Sequence, residues 1–274
     1  MPDDDPLKVA KDSISLVAEV LKAAGDNPQV KEAAGNLGQT AVTLTRTINN
    51  VLVPLAAINF AFDKARAYFS GNFQQDIAAK AQAIPPEHIV EPKASIAGPT
   101  LQGLAFTHEE PNPKEMYLNL LATSMDGRSA SLAHPAFVEI IKQFDSEDAR
   151  LVRGALQSPN AIPIVQIHHK LKDGSGYNLL VQHLLNLHNL NTGVPIEDPH
   201  LPAMIGNWIR LGLVDVAYDK HLTDLGQYSW VALRPEFLRL SEALPPDQGK
   251  VEYEKGIMQR TELGKRFALA IGLR

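Results

Sequence analysis

Four prolines and a glycine fall within residues 85–99, at Pro85, Pro86, Pro92, Gly98 and Pro99. No other stretch limits the fold as much. A proline inside a helix removes one backbone hydrogen bond and crowds the preceding turn, and it pushes the residue before it toward extended backbone. Residues 85–99 are therefore expected to cross the protein extended, anchored by Ile89, Val90 and Ile96. The segments on either side have helical period. Phe73, Ile77, Ala78 and Ala81 share one face of a predicted helix over 71–84, and Met116, Tyr117, Leu120, Leu121 and Met125 share a face of another. Asn112-Pro113 supplies the second helix with a cap and a first-turn proline.

The segments before the proline run are also helical in pattern. Residues 7–24 place Leu7, Ala10, Ile14, Val17, Ala18 and Leu21 at helical spacing, and Gly25-Asp26-Asn27-Pro28 stops them. A second helix begins after Pro28 and is weakened by Gly35 and Gly38, which mark a loose helix or loop, or else a close helix contact. Residues 48–62 form the most apolar window. It is short of the roughly 20 apolar residues a bilayer crossing needs. It reads as a buried helix started or kinked at Pro54, as a partner-binding surface, or as a segment lying in a membrane interface. Leu55 and Phe62 are its candidate interaction residues.

After the proline run, His134-Pro135 opens a helix through Phe137, Val138, Ile141 and Phe144, with His134 extended and placed to cap it. Asp145-Ser146-Glu147-Asp148 begins another, its acidic residues set where the helix dipole favours them. The texture changes near residue 158. Ile162-Pro163-Ile164-Val165-Gln166-Ile167 is strand-like by its β-branched content. Residues 171–176 form a turn, and Tyr177 to Leu190 reads as an amphipathic helix. A helix from Asp198-Pro199-His200 runs to Gly212, and Leu213 to Tyr218 alternates at period two like a half-buried strand. Thr223-Asp224-Leu225-Gly226 and Thr261-Glu262-Leu263-Gly264 echo one another, each threonine placed to cap a short helix. Helix, strand and Thr-Glu-Leu-Gly-Lys-Arg-Phe in that order suggest a winged helix. The expected fold is mainly α: an N-terminal helical extension over 1–40, a helical domain over 41–158, and a small α+β winged-helix-like domain over 159–274.

Chemistry is harder to find. Cysteine is absent, which removes thiolate nucleophiles, disulfides and cysteine metal sites. Among nine histidines, His168 and His169 are adjacent and would face opposite sides of a strand, while His183 and His188 are five apart, a poor helical pair. There is no Gly-x-Ser-x-Gly elbow, Walker loop or Gly-x-Gly-x-x-Gly turn. No catalytic, cofactor or metal residue is expected. Residues 1–150 carry 13 basic and 19 acidic side chains, net −6, and the remainder 13 and 12, net +1. Neither half has a nucleic-acid charge footprint. DNA contact would rest on a local patch of Arg260, Lys265 and Arg266. The acidic start Met1-Pro2-Asp3-Asp4-Asp5 does not read as a secretory signal, and a cytoplasmic protein is expected.

The proline run, Met116-Tyr117-Leu118-Asn119-Leu120-Leu121, Ala133-His134-Pro135-Ala136-Phe137-Val138, Leu211-Gly212-Leu213-Val214 and Thr261–Phe267 together resemble the bacterial abortive infection alpha family, over roughly residues 40–274. The resemblance implies anti-phage defence or toxin immunity and supplies no active site. Pro92, Gly98, Pro99, His134 and Pro135 match as architecture. The leading expectation is a non-enzymatic defence protein acting on a protein partner, such as a toxin, phage or host component. A DNA-binding regulator and an effector in peripheral contact with membrane through 51–62 are its rivals.

Overall fold

The computed structural model describes residues 61–189, 191–245 and 247–273. The expected helices before residue 61, and Leu55, lie outside the described residues. Two compact units are present: the described residues up to Leu151 with those from Arg266, and Val152–Lys265.

The first unit is helical. It contains α1 (Ala61–Ser70), α2 (Phe73–Ala81), α3 (Ala94–Thr107), α4 (Pro111–Met125) and α5 (Pro135–Ile141). Helix α6 (Ser146–Gln157) begins here, and the end of α9 (Glu262–Ala270) completes it. Phe73, Ile77, Leu101, Leu104, Met116, Leu120 and Phe137 are fully buried. Phe137 meets Phe267 edge to face at 5.3 Å. Asn119 Nδ2 and Thr123 Oγ1 donate to the Ile271 and Ala270 carbonyls, each at 2.9 Å.

The proline run departs from its expected extended course. Pro86–His88 is one 3-10 turn, and α3 starts at Ala94 and passes through Pro99. Ile96, Ala97, Thr100, Leu101, Leu104 and Ala105 are buried at helical spacing, and that apolar face outweighs the proline. Pro99 leaves only the Ser95 carbonyl without its helical donor, and Ser95 is exposed, so water can satisfy it. Gly103 permits a close crossing: a Cβ there would sit 2.4 Å from the Tyr117 ring. Helix α4 starts at Pro111 instead of after Asn112.

The second unit overturns the expectation of a mainly α chain with a small winged-helix domain. The fold is mixed α and β, built on a four-stranded antiparallel sheet of order β2-β1-β4-β3. The strands are β1 (Ile162–Leu171), β2 (Tyr177–Leu184), β3 (Val214–Ala217) and β4 (Gly249–Arg260). Tyr177–Leu184, expected as helix, is a strand because the Lys172–Ser175 turn folds it back onto β1. Gly174 adopts φ 72°, and Asp173 Oδ1 accepts from the Ser175 amide at 3.0 Å. Val165, Ile167, Leu184, Tyr228 and Val231 form a buried cluster. The 3-10 segment Leu225–Leu233 and α8 (Pro235–Ala243) supply its cover. Helix α7 (Leu201–Arg210) packs against β2 and β3. Thr261 caps α9, accepting from the Gly264 amide at 2.8 Å. In the echo, Asp224 takes that role instead of Thr223.

Candidate functional site

Two places could carry function. The first is a groove of about 310 Å³ in the helical unit, lined by His108, Glu109, Pro111, Lys114, Glu115 and Leu118. Its chemistry is used internally. Lys114 Nζ pairs with Asp76 Oδ2 at 2.6 Å and lies over the Tyr68 ring, 4.9 Å from its centroid. Tyr68 donates to Asp76 at 2.9 Å and stacks on His108 at 4.9 Å. Lys80 pairs with Glu115 at 3.1 Å, and Lys64 with Glu109 at 2.9 Å. Burial, then the hydrogen bond to Asp76, pushes the Tyr68 hydroxyl far above the ordinary phenol range, so it stays protonated. The Lys64 hydrogen bond and charge hold Glu109 below the usual carboxylate range. These pairs tie α1, α2 and α4 together. Among the described residues no three His, Asp or Glu side chains are grouped to hold a metal.

The second place is the outer edge of the sheet. Strand β2 ends the sheet, paired to β1 on one side. The Leu171 amide donates to the Gly176 carbonyl at 3.1 Å, which sets the phase of the hairpin. Antiparallel pairs alternate between bonded and non-bonded, so Tyr177 and Leu179 turn their own amide and carbonyl toward the free edge. The side chains are exposed as well: Tyr177 is 59%, Leu179 47% and Leu180 40% accessible. Tyr177–Leu184 contains no charged residue and no proline. Edge strands are ordinarily blunted by such residues.

Two irregularities shape this edge. The register with β1 slips between Val165 and Ile167 and again between Ile167 and His168, each time with one extra residue in β2. His183, in the first slip, has φ 55°, the one described residue other than glycine at positive φ. Tyr218 holds it there, accepting from the His183 amide at 3.2 Å and meeting His183 Nδ1 at 3.0 Å. The loop after β2 is pinned by Arg234, which is 1% exposed. Its guanidinium donates to the Leu187 carbonyl at 2.6 Å, the Ile196 carbonyl at 2.8 Å and Glu236 at 2.5 Å.

The residues named from sequence fall in several places. Pro92 is buried ahead of α3, and Gly98 and Pro99 lie within it. His134 is extended before Pro135, and its Nδ1 accepts from the Ala136 amide at 3.1 Å, capping α5. Phe62 belongs to α1. Arg260 ends β4 and donates to the Leu156 carbonyl at 2.9 Å. On α9, Lys265 pairs with Glu262 at 2.6 Å, and Arg266 donates to the Ser131 carbonyl at 2.5 Å. The β2 edge was hidden by its reading as a helix. The available signal was a β-branched strand followed by Asp-Gly-Ser-Gly, which marks a hairpin.

A family model described as abortive infection alpha matches residues 65–271. The chain belongs to that family, whose name denotes a defence-related response. No curated protein matches the chain. A solved structure of an uncharacterized protein from the hydrocarbon-degrading marine bacterium Alcanivorax borkumensis SK2 is 13% identical, with a TM-score of 0.33 over 55% of this chain and 95% of that one. Similarity at that level carries no argument.

Proposed function

We propose that this abortive infection alpha protein serves bacterial defence by docking a partner protein, with strand β2 receiving an extended apolar segment of that partner. Family membership supports the defence role. The mode of action rests on one observation: β2 is an uncharged edge strand whose Tyr177, Leu179 and Leu180 are exposed. An incoming strand would gain main-chain hydrogen bonds at Tyr177 and Leu179 and bury their side chains, the general mode of strand addition to a sheet. The ion pairs that occupy the helical groove favour a non-enzymatic reading. Among the described residues no helix is long and apolar enough to cross a membrane.

The test is phage plating on hosts carrying the wild-type chain, the Leu179→Lys/Leu180→Lys double variant, or no chain. Both positions are surface positions, where substitutions change stability by less than about 0.5 kcal/mol. The double variant should keep its melting temperature and plate phage as the empty host does. Full protection by the variant would overturn the reading.

A further inference from the structure

We propose that His183 and Tyr218 form a proton-sensitive latch that sets the bulged course of the β2 edge. Its consequence for docking rests on the reading above, while its chemistry stands on the geometry alone. The Tyr218 oxygen accepts from the His183 amide, and the same hydroxyl has one proton to give. In the proposed latch that proton goes to His183 Nδ1, 3.0 Å away, with the imidazole's own hydrogen on Nε2. The two rings lie nearly parallel, 15° apart, with centroids 6.1 Å apart. One side chain thus fixes both the backbone and the ring of a residue held in the left-handed region, which few residues other than glycine adopt.

Protonating the ring breaks this arrangement. Nδ1 would become a donor, and the Tyr218 oxygen would face two donors while losing the acceptor for its own proton. Phenolate formation offers no escape, because burial pushes the Tyr218 hydroxyl up to about 12. The cation would also sit at a position only 8% exposed. Burial itself lowers the histidine's proton affinity.

Charged groups are sparse on the elements around it. Strand β2 has no charge. Helix α7 has Arg210 alone, which is exposed and donates to Asn207 at 2.6 Å. On β1, His168, His169 and Lys170 lie further along the hairpin, beside Leu179, Asn178 and Tyr177. Asp215 of β3 is exposed. From β4, Glu254 bears on Tyr218 and holds its hydroxyl protonated more firmly. Acid therefore drives the latch open and frees the strand that carries Leu179 and Leu180.

Hydrogen exchange by mass spectrometry on the free full-length chain tests this without any partner. Exchange in peptides spanning Tyr177–His188 would be compared with β4 peptides between about pH 7.5 and about pH 5.5, corrected for intrinsic amide chemistry. One proton taken up on opening raises the opening equilibrium by up to about tenfold per pH unit below the ordinary histidine range. The wild type should show that rise in β2 and not in β4. His183→Asn tolerates positive φ and does not titrate, so it should show no pH step. Tyr218→Phe should exchange fast in β2 at both pH values. Parallel behaviour of the wild type and His183→Asn, or no step in the wild type, would overturn the latch. Because no partner is involved, its failure leaves the plating result standing, and a failed plating test leaves the latch standing.

Discussion

The two units cover themselves differently. Thirteen large apolar side chains are exposed among the described residues, and ten belong to Val152–Lys265. The helical unit contributes Val90, Phe106 and Leu269 alone. It buries its aliphatic faces among helices and laces α1, α2 and α4 with ion pairs. The sheet unit closes one cluster and leaves an uncharged edge strand in the open. Scattered exposed apolar residues are normal on any protein, whereas an exposed edge backbone lined by them is a surface that pairs with other chains. On the function proposed above, the first unit supplies stability and the second makes the contact.

The contrast can be broken most severely at Arg234. Its buried guanidinium satisfies two loop carbonyls and Glu236, so Arg234→Met leaves acceptors and a carboxylate without their donor. A loss of about 3–5 kcal/mol is expected in denaturant melts, with the loop after β2 the first region to exchange. A loss below about 1 kcal/mol would show that the loop is held otherwise.

A core substitution in the helical unit comes next. Leu104 is fully buried, and Leu104→Ala should cost about 2–5 kcal/mol. Leu179→Ala in the sheet edge should cost less than about 0.5 kcal/mol. Equal costs for the two would erase the distinction between a sealed unit and an open edge.

Gly103→Ala gives a smaller expected effect. The added methyl would meet the Tyr117 ring at 2.4 Å and force α3 and α4 apart, at about 1–3 kcal/mol. Retained stability would mean that the helices can re-space freely.

The smallest effect concerns pH. His183 binds its proton less readily when folded than when unfolded. Its contribution to stability is therefore present above the ordinary histidine value of about 6.5 and is lost as pH falls below it. The wild type should lose stability relative to His183→Asn on acidification, read as diverging melts. Coincident melts from neutral to mildly acidic pH would deny the histidine any part.

Much of the helical unit is legible in the chain because its helices have strong period and two of them have clear side-chain caps. His134-Pro135 and Asp145-Ser146-Glu147-Asp148 announce α5 and α6. The proline run misleads because a proline at the sixth position of a helix costs one hydrogen bond, which the exposed Ser95 carbonyl can make with water, while a buried face across α3 gains far more. Strand β2 misleads in the opposite sense. Tyr177, Leu180, Val181 and Leu184 fall at the i, i+3, i+4, i+7 spacing of a helical stripe, and only pairing with β1 selects the strand. Strand β4 is not among the expected elements, although Lys250-Val251-Glu252-Tyr253-Glu254 alternates at period two. The exposure of β2 as an edge follows from strand order, and strand order is not written in any local motif.

The most direct measurement is a photocrosslinking comparison in phage-challenged cells, with one photoreactive residue at Leu180 of β2 or at Phe106 of α3, both exposed. The account predicts a discrete protein adduct from position 180, lost when Leu179→Lys is added together with loss of protection, and none from position 106. Adducts from position 106 alone, or from neither position in cells that remain protected, would contradict it.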